Sequence, residues 1–164
     1  MSAIVKLFIA TSDGAFQAHY SKSGLVELNF PNGHPTGGGA QSKDGLSAQV
    51  QDWHQITVAA LKKMLAGEAA QKLPPLDLRG TEFQKSVWRE MRKIPAGKTK
   101  SYGEIAQAIG KPKAVRAVGG ACGANPIPVF VPCHRVLAAN KKIGGFSSGL
   151  DWKRKLLAVE GIVL

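Results

Sequence analysis

The chain has 164 residues, 44% hydrophobic and 20% charged, a globular composition that excludes wholesale disorder. No apolar run approaches the roughly 20 residues that cross a bilayer, and Ile4–Ala10 is interrupted by Lys6 and alternates, so it reads as a strand and not a signal peptide. The formal charge of +11 is uneven: residues 1–78 carry six Lys/Arg against six Asp/Glu, whereas residues 79–164 carry sixteen against five. A neutral half joined to a basic half predicts a polyanion, nucleic acid above all, as partner of the second half; the alternative is a basic surface kept for solubility.

In chain order, Ile4–Ile9, Ala15–Tyr20 and Leu25–Phe30 are short strands. The turn signals Ser12-Asp13-Gly14 and Ser21-Lys22-Ser23-Gly24 separate them, which predicts a three-stranded antiparallel meander. Residues 31–47 are rich in Gly, Pro and Ser without apolar periodicity and read as a loop. From Ala48 to Ala66, Val50, Trp53, Ile56, Thr57, Ala60, Leu61, Met64 and Leu65 recur at helical spacing. Leu73-Pro74-Pro75-Leu76 is a stiff connection and marks a boundary between units 1–76 and 77–164.

The second unit reads as mainly helical. Thr81 caps a helix bearing Phe83, Val87, Trp88 and Met91 that stops near Ile94-Pro95-Ala96-Gly97. Ser101 and Glu104 form a capping box opening a helix from Tyr102 to Ile109. Gly110-Lys111-Pro112 breaks it, and a further helix runs from Lys113 to about Ala124, giving a helix-turn-helix pattern in the basic half. That last helix contains adjacent interior glycines, Gly119 and Gly120, each costing about 1 kcal/mol relative to alanine. Either another element packs closely there, or the smooth face approaches a partner's backbone, as in a narrow minor groove. Arg116 is the one long side chain in its middle; a phosphate contact or a surface ion pair would also explain it.

Asn125-Pro126-Ile127-Pro128 ends the helix and leads into Val129-Phe130-Val131, read as a buried strand, and then Pro132-Cys133-His134-Arg135-Val136. Cationic neighbours lower a thiol's pKa, and the thiolate is the nucleophile; a structural buried cysteine is the plainer alternative. On an extended backbone neighbouring side chains diverge, so His134 serves Cys133 only if the chain bends or a water relays the proton. Cys122 lies in an apolar helix and reads as a buried spectator, and Trp53, Trp88 and Trp152 as packing aromatics. With no C-x-x-C pair and four scattered histidines, no metal is expected.

Val131-Pro132-Cys133-His134-Arg135-Val136 resembles the active-site signature of the O6-alkylguanine-DNA alkyltransferases, the methylated-DNA–protein-cysteine methyltransferases. The resemblance runs from about Leu78 to Glu160 through Arg79-Gly80-Thr81, Phe83-Gln84, Val87-Trp88, Ile94-Pro95, Ser101-Tyr102, Arg116–Gly120, Asn125-Pro126, Gly145-Phe146-Ser147 and Leu156–Gly161. It implies an α+β chain: a ribonuclease-H-like N-terminal domain of three antiparallel strands and a helix, then a mostly helical catalytic domain with a helix-turn-helix. Cys133 would accept the alkyl group irreversibly, once per molecule, from O6-alkylguanine, with O4-alkylthymine as a second substrate. Glu160 would orient His134, which takes the thiol proton through a water. Tyr102 would crowd the target phosphate, Arg116 would enter the stack as the base flips out through the minor groove, and Asn125 would hold the turn. Ala117, Gly119, Gly120, Ser101 and Arg135 would complete the DNA contact, and Val136, Gly145, Phe146 and Ser147 the base pocket.

The resemblance implies no cofactor; some members of the family bind zinc through cysteines of the N-terminal domain, but no cysteine precedes Cys122 here, so no metal is expected, and no membrane is expected for want of a long apolar run. Without such a run or a signal peptide a cytoplasmic protein is expected, associated with the nucleoid in a prokaryote, and acting as a monomer on alkylated duplex DNA; side-by-side binding of several copies stays open. Rival readings are a lesion-binding relative without transfer chemistry, a helix-turn-helix transcription factor and a cysteine hydrolase. The smooth glycine helix argues against major-groove reading, and nothing specifies a hydrolase's oxyanion hole.

Overall fold

The computed structural model describes residues 4–31 and 46–164. Strands β1 (Val5–Thr11), β2 (Gly14–Ser21) and β3 (Gly24–Asn29) form the expected antiparallel sheet in the order β1-β2-β3. Leu7 faces Ala18 and Ile9 faces Phe16 across the first pair, so the buried side chains of both strands share one face. Helix α1 (Ala48–Leu65) covers that sheet, with Ser47 Oγ accepting from Val50 N at its start. Trp53, Thr57, Ala60 and Leu61 point inward, and Tyr20 Oη lies 2.8 Å from His54 Nδ1. Most of the loop read over 31–47 lies outside the described residues.

The Pro-rich connection is stitched to β3: Leu25 N donates to Pro75 O and Asp77 N to Leu25 O, both at 2.8 Å. Helix α2 (Glu82–Met91) starts at the Thr81/Gln84 capping box and buries Val87, Trp88 and Met91. After β4 (Lys100–Ser101), the Ser101/Glu104 box opens α3 (Tyr102–Ala108), and α4 (Val115–Gly123) follows. Trp88 Nε1 donates to Ala121 O at 2.8 Å, fastening α2 to α4. All three tryptophans are buried, as packing residues should be. The core is continuous across the connection: Trp152 packs on Phe16 and Phe30 with ring centroids 5.6 and 4.8 Å apart, and Leu28 N donates to Pro126 O.

Three features differ from the expectations. Val129-Phe130-Val131 is a turn, not a strand; Val131 N reaches back to Ile127 O, and Val129 sits at φ 75°. A β-branched residue in the left-handed region is costly and persists only where its surroundings over-determine it. A two-residue strand, β5 (Val136–Leu137), pairs in parallel with β4, too short to show any alternation. Helix α5 (Leu150–Val159) closes the chain, and its apolar pattern is broken because Lys153 occupies the buried face.

The end of α1 touches the end of α5 at Gly67, whose φ is 81° and whose added Cβ would lie 2.2 Å from Val159 O. Gly67→Ala therefore meets both a left-handed backbone, costing about 1–3 kcal/mol, and a backbone clash beside Glu160. A lowered melting temperature is expected, together with slower chemistry at the adjacent site; an unchanged melt would contradict this reading of the contact.

Candidate active site

The turn after α4 is pinned by one side chain. Asn125 Nδ2 donates to Val131 O at 2.7 Å, and its Oδ1 accepts from Ile127 N at 2.9 Å, satisfying both ends of the amide. Cys133 N then bonds Val131 O, and Cys133–Arg135 form one turn of 3-10 helix. The chain thus bends at Cys133, so its side chain and that of His134 do not diverge as they would on an extended strand. Both side chains are buried, at 6% and 2% exposure.

The thiol lies in the wall of a cavity of about 310 Å3 that Tyr102, Gly119, Cys122, Gly123, Gly145, Phe146 and Ser147 complete. Five expected site residues besides Cys133 therefore meet there: Tyr102, Gly119, Gly145, Phe146 and Ser147. Val136 does not line it; that residue is fully buried, and its carbonyl accepts from Lys153 Nζ at 2.7 Å. Gly144, at φ 70°, lets the loop pass Tyr102, since a Cβ there would lie 2.8 Å from the phenol oxygen.

On the other side of the turn, His134 Nε2 lies 3.1 Å from Glu160 Oε2. Its Nδ1 is buried and has no hydrogen-bond partner among the described residues. The Glu160 carboxylate also accepts from Arg135 Nε at 2.5 and 3.0 Å, while Arg135 Nη1 donates to Ile94 O at 2.7 Å. Arg135 is thus turned inward, away from the surface contact expected of it. Burial resists the charge on Glu160, yet the bonds from His134 and Arg135 outweigh it and hold the carboxyl below its ordinary value. Burial holds His134 low; Glu160 pulls it up, and Arg135 and Lys153 press it further down. The imidazole is consequently neutral at pH 7, with its proton on Nε2 and a lone pair on Nδ1.

The thiol departs from the sequence expectation. Burial pushes Cys133 up to about 11, against the opposing pull of the Asn125 side chain, Lys153 and backbone amides. Desolvation wins over cationic neighbours here, so the resting thiol keeps its proton. Cys122 behaves as expected of a spectator: buried, 3.6 Å from Met91 Sδ, and raised to about 12 chiefly by burial.

Sequence reasoning missed Lys153. It is fully buried, donates to Val136 O and to Gly145 O at 3.1 Å, and burial lowers it to about 8 while the two thiols pull it back. Its place between Trp152 and Leu156-Leu157 on the inward face of α5 was the available signal.

On the outer surface, Arg116, Ala117 and Gly120 are exposed and Gly119 is half-buried. Among the described residues, no atom beyond the helix's own backbone and the adjoining residues lies within 4 Å of where a Cβ would stand at Gly119, Gly120 or Gly123, so close packing against another described element is not the reason for these glycines. The Ser101 hydroxyl is occupied in capping Glu104 N at 3.0 Å. Among the described residues no group of His, Cys, Asp and Glu is placed to hold a metal ion, and no helix is long and apolar enough to cross a membrane.

Known proteins resemble this chain in sequence and in fold. The family described as 6-O-methylguanine DNA methyltransferase, DNA binding domain, matches residues 82–162. The methylated-DNA–protein-cysteine methyltransferase of Mycolicibacterium paratuberculosis is 54% identical over 103 residues, 63% of this chain and 62% of that protein. The match thus spans a little under two thirds of that relative's length. The protein of the same name from Methanosarcina mazei is 57% identical over 125 residues, 72% of this chain and 79% of that one. The crystal structure of Mycobacterium tuberculosis O6-methylguanine methyltransferase superposes with a TM-score of 0.74 at 36% identity, covering 96% of this chain and 93% of that one. The same organism's OGT in complex with DNA gives 0.73 at 37%, covering 93% and 90%. With the Cys133–His134–Glu160 geometry and this likeness in sequence and fold together, the chain belongs to the O6-methylguanine-DNA methyltransferase family.

Proposed function

We propose that the protein repairs DNA by moving the alkyl group of O6-alkylguanine, and secondarily O4-alkylthymine, onto Cys133 Sγ, once per molecule. The observation that carries this reading is a thiol in the wall of a base-sized cavity, backed by a neutral His134 whose Nδ1 is unoccupied and whose Nε2 is held by Glu160. In the reaction the S–C bond forms as the C–O bond breaks. The thiol proton passes to His134 through a water; the guanine leaves as an anion and takes one proton from solvent, and His134 returns its own proton to solvent, so the net change is one proton moved from sulfur to guanine. Because a thiolate from a thiol near 11 is strongly basic, it is also strongly nucleophilic once formed. The thioether product has no leaving group that a neighbour could displace, so the protein is consumed.

The unit 77–164 is the catalytic and DNA-binding domain, with α3 and α4 as its helix-turn-helix, and the unit 1–76 is the ribonuclease-H-like domain. The glycine face of α4 approaches the minor groove, Arg116 fills the stack, Tyr102 crowds the phosphate and Ala117 meets the backbone. The flipped base rests among Gly145, Phe146 and Ser147. The protein acts as a monomer, without cofactor, in the compartment that holds the genome, on the nucleoid in a prokaryote.

Incubation with a duplex carrying one O6-methylguanine tests the reading: the lesion is expected to disappear from the DNA in an amount equal to the protein added. Persistence of the lesion under protein excess overturns it in favour of a lesion-binding relative. The α4 face is tested separately at Gly120. Gly120→Ala has open space and gains about 1 kcal/mol of helix stability, whereas Gly120→Gln, equally well folded, is expected to weaken duplex binding about tenfold or more. Equal binding by Gly120→Gln would move the interface elsewhere.

A further inference from the structure

Arg135 sits immediately after the catalytic pair in sequence, yet its charge is spent on the protein and not on DNA. Its Nε bridges both oxygens of Glu160 and its Nη1 holds Ile94 O, with the side chain 11% exposed. Glu160 therefore has two claimants for one negative charge, each reaching both oxygens: the guanidinium on one side and the His134 ring on the other. Arginine is always charged. A buried histidine whose only ionic neighbour is a carboxylate would be drawn to the imidazolium form, and an imidazolium cannot accept a thiol proton.

We propose that Arg135 is a positioning residue for alkyl transfer, which by neutralising Glu160 lets that carboxylate orient His134 while the ring stays uncharged and its Nδ1 stays open to the proton of Cys133. The proposal rests on the alkyl-transfer reading above and assigns Arg135 a part within it. The other charged and titratable groups around the ring are Cys133 on the same turn and Lys153 from α5, with Glu68 and Arg92 on the wall of the cavity that Glu160 and Arg135 also line. Of these, Lys153 also opposes protonation of the ring, but it is tied to the carbonyls of Val136 and Gly145 and does not touch Glu160. Arg135 alone among the described residues bonds the carboxylate that His134 uses.

The test is an NMR titration of the His134 ring in the full-length, DNA-free protein, alongside the pH profile of methyl transfer from an O6-methylguanine duplex. In Arg135→Leu the ring is expected to titrate about one unit or more higher than in the parent. Once the ring value has risen past 7, transfer at pH 7 should fall about twofold or more, and it should recover as pH rises past the new ring value. Arg135→Gln, which keeps a donor to Glu160 without the charge, should show the same upward shift, and it serves if the leucine variant does not fold. Arg135→Leu combined with Glu160→Gln removes both charges and should return the ring to the parental value or below.

A ring that titrates as in the parent, with a rate lowered equally at every pH, overturns the proposal and leaves Arg135 a structural tie. Because the titration uses no DNA, it decides the Arg135 coupling even if the parent fails to transfer a methyl group. That failure would instead sink the repair reading.

Discussion

Cys133→Ser is expected to bind an O6-methylguanine duplex within about twofold of the parent and to leave the methyl group on the DNA, a rate loss of at least about 1000-fold, the scale of removing a nucleophile. The substitution exchanges one buried atom in the cavity wall, and the Asn125 bonds to Val131 O and Ile127 N and the backbone bond from Cys133 N to Val131 O that set the turn stay in place, while a serine hydroxyl can still meet the Asn125 amide that faces the thiol. Binding should survive for that reason. Transfer should not, because a neutral His134 can draw a proton from a thiol near 11 far more readily than from a hydroxyl. The oxygen is also a poor nucleophile for an alkyl carbon beside the soft thiolate. Gel-shift titration and lesion analysis on the same samples separate the two effects, and measurable transfer by the serine variant would mean another group accepts the methyl.

The second large effect is expected at Lys153. Lys153→Met keeps length and apolar bulk, so the buried space stays filled, but two bonds to Val136 O and Gly145 O disappear. Each bond to a charged group is worth about 1.5–3 kcal/mol, and a buried charge costs several kcal/mol to desolvate. The two effects largely offset, and what remains is two carbonyls without their donor, a net loss of about 1–3 kcal/mol. Function should suffer more than stability. The segment carrying Gly145, Phe146 and Ser147 loses its tie to β5, and the Cys133 thiolate loses its cationic neighbour. Transfer is expected to slow about 100-fold, while the melting temperature falls by several degrees. A melt lowered as predicted with an unchanged transfer rate would show Lys153 to be purely structural.

What could be read from the chain, and what could not, divides by the range of the interaction. The meander, α1 and the capping boxes at Thr81 and Ser101 are local: apolar spacing and one side-chain-to-backbone bond define each. The adjacency of Cys133 and His134 and the smooth face of α4 were equally legible. The direction of Arg135 was not, because its partner Glu160 lies 25 positions away and Ile94 lies 41 away. Nor was the upward pull of burial on the thiol. Neighbouring cations are visible in sequence, but the burial that outweighs them is a property of the whole fold. Val129 was read as extended because a valine in a buried apolar run gives no sign of a left-handed turn. Helix α5 escaped the reading of periodicity for a related reason: the lysine on its inward face serves the site and spoils the apolar pattern.

The central claim is that Cys133 itself takes the alkyl group, irreversibly and once. Intact-protein mass spectrometry after incubation with excess duplex containing one O6-methylguanine, followed by peptide mapping, tests it most directly. The expected result is a gain of one methyl group per molecule, located on Cys133, that does not increase with time or with more DNA. A protein that binds the lesion yet stays unmodified, or one whose methyl group maps to Cys122, would contradict it.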